Sequence, residues 1–220
     1  MRDSKKLHLS RLSYENLASI YVKRLRLGRE LLAEEPMKFI LRVFVDDEGE
    51  KTVGSDNLTY LPYGLEGDIY RSPLPLSPLF DPNEALLDDF VEVGVDVVVM
   101  LTPEEEVWEV TGRDLLMRYE ALGLDVIYVP VEDFSVPKPG AFQEPIRRAL
   151  RAAKSGKTLV IHCQAGLGRT GMFAACLAKV VLEMSGEDAV NWVREYVPEA
   201  VQTAQQFRFV ENFVYDIDGS

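Results

Sequence analysis

The run His162-Cys163-Gln164-Ala165-Gly166-Leu167-Gly168-Arg169-Thr170-Gly171 follows an apolar, strand-like segment and opens a helix-like one, so a cysteine and an arginine flank one tight glycine-bearing loop. A loop that closes on itself over five residues turns successive backbone N–H groups inward, and such a nest at a helix N-terminus cradles an anion. The same amides stabilise a thiolate and can bring a thiol pKa from about 8.5 into the range of about 3.5–7.5. Cys163 is therefore the expected nucleophile, and a phosphate ester the expected target. Arg169 offers a planar fork that can hold two equatorial oxygens of a phosphoryl group and follow them through the transition state. Thr170 is placed to donate to the sulfur as it leaves a phosphocysteine. His162, at the strand end, is expected to orient the loop through hydrogen bonds rather than to titrate.

This stretch, HCxxGxGRTG, resembles the signature loop of the cysteine-dependent protein tyrosine phosphatase superfamily, and of its dual-specificity members in particular. The bare Cys-x₅-Arg core also fits arsenate reductases and rhodanese-like enzymes; His162, Thr170 and Gly171 speak for the phosphatases. The resemblance covers roughly residues 65–215. It implies a hydrolase for phosphotyrosine, with phosphoserine and phosphothreonine as further substrates, that forms a phosphocysteine and needs no metal or other cofactor. Cys163, Arg169, Asp133, Thr170 and Gln202 would be catalytic. His162, Gln164, Ala165, Gly166, Leu167, Gly168, Gln206 and Phe134 would form the substrate pocket. The alternatives are a phosphatase for a nucleotide, sugar or lipid head group, and a phosphate-binding module without turnover.

A leaving alkoxide or phenoxide needs a proton from an acid across the pocket. Ile127 to Pro137, a strand running into a loop about 30 residues before the cysteine, resembles the acid loop of small dual-specificity phosphatases. Asp133 aligns with that general acid, Glu132 competes, and the plain alternative is that both are solvated. Phe134 would cover the Asp133 carboxyl and raise its pKa. Val201 to Phe209 resembles the glutamine-bearing loop of tyrosine-specific phosphatases, where Gln202 or Gln206 would position the hydrolytic water. A polar helix start, capped by Thr203 and burying Phe207, Val210 and Val214, accounts for the same residues. Asn57 to Tyr63 faintly resembles their substrate-recognition loop but lacks its arginine.

The elements that must hold these residues read as an alternation. Apolar runs of strand length at Val95 to Leu101, Asp125 to Val131 and Thr158 to Ile161 alternate with helical stretches at 104–121 and 140–154. A short strand is expected over Asp68 to Ser72, and helices over Asn83 to Val93, 169–184, Glu187 to Tyr196 and the C-terminal segment. The expected fold is α/β: a twisted, largely parallel central sheet flanked by helices on both faces, with the signature loop at a strand's carboxyl end. Residues 56–220 form the expected catalytic domain. Residues 1–55 form an N-terminal extension, packed on that core, with an amphipathic helix over 14–33 and a strand over 37–45. The helix carries Lys23, Arg24, Arg26 and Arg29 on one face, a possible dock for a partner or anionic surface.

At 220 residues and 47% hydrophobic, the chain can bury a sizeable core. Its net charge is −12: the first 30 residues hold eight Lys and Arg against three Asp and Glu, leaving 16 against 33. So acidic a body argues against nucleic-acid binding, which needs a basic stripe. Gln164, Ala165 and Leu167 put no lysine in the loop, which argues against highly anionic substrates. A phosphorylated protein or peptide fits better. No apolar stretch reaches the roughly 18 residues of a membrane span, and the start lacks a secretory signal, so a cytoplasmic address is expected. Two cysteines, Cys163 and Cys176, make no disulfide framework; Cys176 reads as a buried helical thiol.

Overall fold

A computed structural model of the chain describes residues 57–216. The expected helix over 14–33, its basic docking face and the strand over 37–45 lie outside the described residues. Within them, five strands form one sheet: β1 (Thr59–Tyr60), β2 (Ile69–Ser72), β3 (Val95–Met100), β4 (Asp125–Tyr128) and β5 (Thr158–His162), in the order β1-β2-β5-β3-β4. Only β1 runs antiparallel to its neighbour; the other pairings are parallel. β3 and β5 lie inside the sheet, and each carries an unbroken apolar run, Val97 to Met100 and Leu159 to Ile161, buried on both faces. The segment that faintly resembled a substrate-recognition loop supplies β1, an edge strand.

Seven helices are described: α1 (Leu86–Glu92), α2 (Glu104–Thr111), α3 (Leu115–Ala121), α4 (Gln143–Lys154), α5 (Gly168–Val181), α6 (Gly186–Tyr196) and α7 (Ala204–Asn212). Leu86 and Phe90 of α1, Val107 of α2 and Leu115 and Tyr119 of α3 bury themselves with Val98, Met100 and Val160 in one core. α4 packs on β3, β4 and β5, while α5 touches β5 and is covered by α6 and α7. Phe142 joins these helices, meeting Phe173 edge-on at 5.0 Å and Phe209 at 5.5 Å. The expected layered α/β fold is thus the observed one.

Boundaries differ where a cap or a proline intervenes. The stretch 104–121 is two helices: Gly112, at φ 63°, ends α2 in the left-handed conformation, and Asp114 caps α3 by accepting from the Met117 N–H. β4 stops at Tyr128 because Pro130 has no N–H to donate, although Val129 and Val131 still donate to Met100 and Leu101 carbonyls at 3.0 and 2.9 Å. α1 begins late, at Leu86, where the Asp81 carboxylate accepts from the Ala85 and Leu86 N–H groups.

Candidate active site

β5 ends at His162 and α5 starts at Gly168, so residues 163–167 turn back on themselves at the carboxyl end of a central strand. The loop is packed from every side. Cys163 is 2% exposed, and Gln164, Ala165, Leu167, Arg169 and Thr170 are buried with it. Gly166, at φ 71°, is forced by its neighbour, since a Cβ there would lie 2.5 Å from the Ser72 carbonyl oxygen. A Cβ on Gly168 would meet Gln202 Oε1 at 2.8 Å and the Gln206 amide at 3.1 Å. The Leu74 N–H donates to the Gln164 carbonyl at 2.9 Å, fastening the segment after β2 to the loop.

Arg169 is the most constrained side chain. Its Nη1 and Nη2 donate to Glu106 Oε2 and Oε1 at 2.9 and 2.8 Å, a bidentate pair buried on both sides. Nη1 also donates to the Val131 carbonyl at 3.0 Å, and Nη2 stands 3.1 Å from Asp133 Oδ1. Burial pulls the guanidinium pKa down, but the Glu106 hydrogen bonds and the charges of Cys163, Asp133 and Glu106 outweigh it and raise the pKa above its ordinary value. Arg169 is a fixed cation.

His162 is fully buried, and burial first, with the Arg169 charge adding to it, lowers its pKa to about 4. At neutral pH the ring is uncharged. Its Nδ1 lies 3.4 Å from the Cys163 carbonyl, which can only accept, so this contact assigns the hydrogen to Nδ1 and leaves Nε2 to accept from the Tyr119 hydroxyl at 2.8 Å. These contacts link the start of the loop to α3. Thr170 Oγ1 is buried without a hydrogen-bond partner and makes no bond to the sulfur in this state.

The acid loop meets the cradle through Asp133, whereas Glu132 is solvent-exposed. Phe134 sits at φ 58°, and its N–H donates to Asp133 Oδ1 at 3.1 Å. The carboxylate oxygen Oδ1 is thus met by the Phe134 N–H and the Arg169 guanidinium. The two glutamines divide. Gln206 is buried and occupied: its Oε1 accepts from the Gln202 and Thr203 N–H groups at 3.0 and 3.3 Å, and its Nε2 donates to the Ser135 carbonyl at 3.2 Å. It completes the capping box of α7 with Thr203 and ties that helix to the acid loop. Gln202, by contrast, aims its Oε1 at Gly168.

Sequence reasoning missed Glu106 and Tyr119. Glu106 shares the spacing of Pro103, Val107 and Val110 on α2, so an acid on that apolar stripe was a sign of a buried cation partner. Tyr119 sits on the buried face of α3 and carried no separate signal.

Residues 80–182 match the family model described as "Polymorphic toxin system, DSP-PTPase phosphatase". The chain is 26% identical to cyclin-dependent kinase inhibitor 3 of Rattus norvegicus over 122 residues, which cover 54% of this chain and 58% of that protein, less than two thirds of its length. In structure it resembles kinase-associated phosphatase, solved with serine at its catalytic-site cysteine, with a TM-score of 0.65, 20% identity, and 73% of this chain and 94% of that chain covered. It also resembles Tk-PTP in its active form, with a TM-score of 0.60, 24% identity, and 73% and 99% covered. These two structures share the fold.

Proposed function

We propose that the chain is a cysteine-dependent phosphatase of the protein tyrosine phosphatase superfamily, as the match of residues 80–182 to a DSP-PTPase family model supports, and that it hydrolyses phosphotyrosine in proteins or peptides, with phosphoserine and phosphothreonine as further substrates. One observation carries this reading: Cys163 directly follows β5 and opens a loop whose arginine is clamped by Glu106 and faces Asp133. In the first step the Cys163 sulfur attacks phosphorus in line, the ester P–O bond breaks, and Asp133 protonates the leaving oxygen. The loop amides and Arg169 hold the three non-bridging oxygens throughout. In the second step a water positioned by Gln202 gives a proton to Asp133 and attacks phosphorus. The S–P bond breaks, the sulfur leaves with a hydrogen bond from Thr170, and inorganic phosphate departs.

Steady-state hydrolysis of p-nitrophenyl phosphate and of a phosphotyrosine peptide under reducing conditions tests this reading. Turnover of both is expected, and Cys163→Ser should abolish it while still binding the phosphopeptide; appreciable residual turnover in that variant would remove Cys163 from its role. Both cysteines are free thiols, which suits a cytoplasmic address. Cell fractionation would check it. Among the described residues, no helix is long and apolar enough to cross a membrane.

A further inference from the structure

The loop brings no lysine to the cradle, yet the neighbouring strand brings an arginine. Arg71 stands in β2 opposite Ile161 of β5, two residues ahead of Cys163. Its neighbour Tyr70 packs into the core formed with α1, α2 and α3, so alternation along the strand turns Arg71 to the opposite face of the sheet. Directly after it, Ser72 and Leu74 press against the loop at Gly166 and Gln164. Arg71 therefore belongs to the wall of the cradle.

The state of this side chain is unusual. Its Nε is sealed from solvent without a hydrogen-bond partner, while the residue as a whole is only partly covered. Among the described residues it makes no ion pair, in contrast to Arg169. Burial lowers its pKa to about 10, so it stays protonated at neutral pH, and the charge of Cys163 acts on it in the opposite direction. A charged N–H sealed from water without a partner is costly, and an anion reaching this guanidinium recovers that cost. The transferred phosphoryl group is already served, because the loop amides and Arg169 suffice for its three non-bridging oxygens. An additional cation beside the nucleophile has an additional anion to meet.

We propose that Arg71 binds a second anionic group carried by the substrate beside its scissile phosphate, so that the preferred substrates are phosphomonoesters with a neighbouring carboxylate or second phosphate. The inference rests on the phosphatase reading and narrows its substrate class. It also revises the expectation drawn from the lysine-free loop, since the basic residue comes from β2.

Two matched pairs of substrates test it: a phosphotyrosine peptide flanked by Asp and Glu against the same peptide with Asn and Gln, and a hexose bisphosphate against the hexose monophosphate. The wild-type enzyme should favour the more anionic member of at least one pair by about tenfold or more in kcat/KM, the scale of a charge-assisted hydrogen bond. The peptide pair would identify an acidic side chain as the source, the sugar pair a second phosphate. Arg71→Met should bring that ratio to near unity, and Arg71→Lys should keep part of it. A wild-type ratio near unity in both pairs, or an undiminished ratio in Arg71→Met, overturns the proposal. Should Arg71→Met fail to fold, as judged by thermal unfolding, the wild-type ratio decides: it should shrink between about 50 and 500 mM salt if an ion pair carries it, and stay constant if not. A wild-type enzyme inert toward p-nitrophenyl phosphate would instead strike down the phosphatase reading itself.

Discussion

Arg169 has committed its terminal N–H groups before any substrate arrives, two to Glu106, one to the Val131 carbonyl and one toward Asp133. In the proposed mechanism Asp133 Oδ1 and an incoming phosphoryl oxygen would compete for the same edge of the guanidinium, so phosphate binding would free the carboxyl to turn to the leaving oxygen. Asp133→Ala should slow esters with poor leaving groups by roughly 10²–10⁴-fold, while inorganic phosphate inhibits at lower concentration because a competitor is gone. Steady-state rates across a leaving-group series, with phosphate inhibition, would check this; an equal loss in exposed Glu132→Ala would move the acid by one residue. Glu106→Ala leaves a buried guanidinium without its main partner, so urea unfolding should show a loss of about 3–5 kcal/mol together with a fall in kcat. Cys163, Arg169 and Thr170 were legible because they lie within one short run. Glu106 was harder to see because its role depends on an arginine 63 positions away that only the sheet brings near.

At the scale of elements, the strand–loop–helix unit of β5 and α5 is held from three sides: by Tyr119 of α3 through His162, by the segment after β2, and by the segment before α7, whose Val201 N–H donates to the Leu167 carbonyl. The α3 contact has a pH signature. His162 is held neutral in the fold with its pKa lowered to about 4, whereas the unfolded chain binds a proton there near 6.5. Between those values the unfolded state carries more protons, so stability is complete above about pH 6.5 and falls as pH drops toward 4, by about 3 kcal/mol in all. Urea midpoints measured across this window should show the fall, and His162→Gln should flatten it; an unchanged slope in the variant would mean other groups govern it. The alternation of apolar runs and helical stretches was readable because buried parallel strands and amphipathic helices have distinct periods. The break at Gly112 was not, although Gly112 and Asp114 are ordinary stop and start signals, because Leu115 and Tyr119 continue an apolar pattern across it. Val201, a β-branched residue at φ 60°, was equally invisible; its N–H lies 3.4 Å from the Leu167 carbonyl, and Arg194 holds the Ala200 and Val201 carbonyls. That strain sits directly before Gln202, whose Oε1 lies beside Gly168 of the cradle.

On the scale of the whole molecule, a cradle holding two arginines is set in an acidic protein. The net charge of −12 places a repulsive field in front of any doubly charged phosphate ester, while Arg169 and Arg71 attract it only at close range. These opposed fields respond differently to salt. Ions shorten the Debye length from about 30 Å at 0.01 M to about 8 Å at 0.15 M, which removes the long-range repulsion and leaves the buried pocket nearly unscreened. For p-nitrophenyl phosphate, which offers Arg71 no second anion, kcat/KM should rise over that range while kcat changes little, because approach and not chemistry is what the distant charges oppose. A fall in kcat/KM would mean that local attraction dominates the encounter, and that the acidic surface lies away from the mouth of the site.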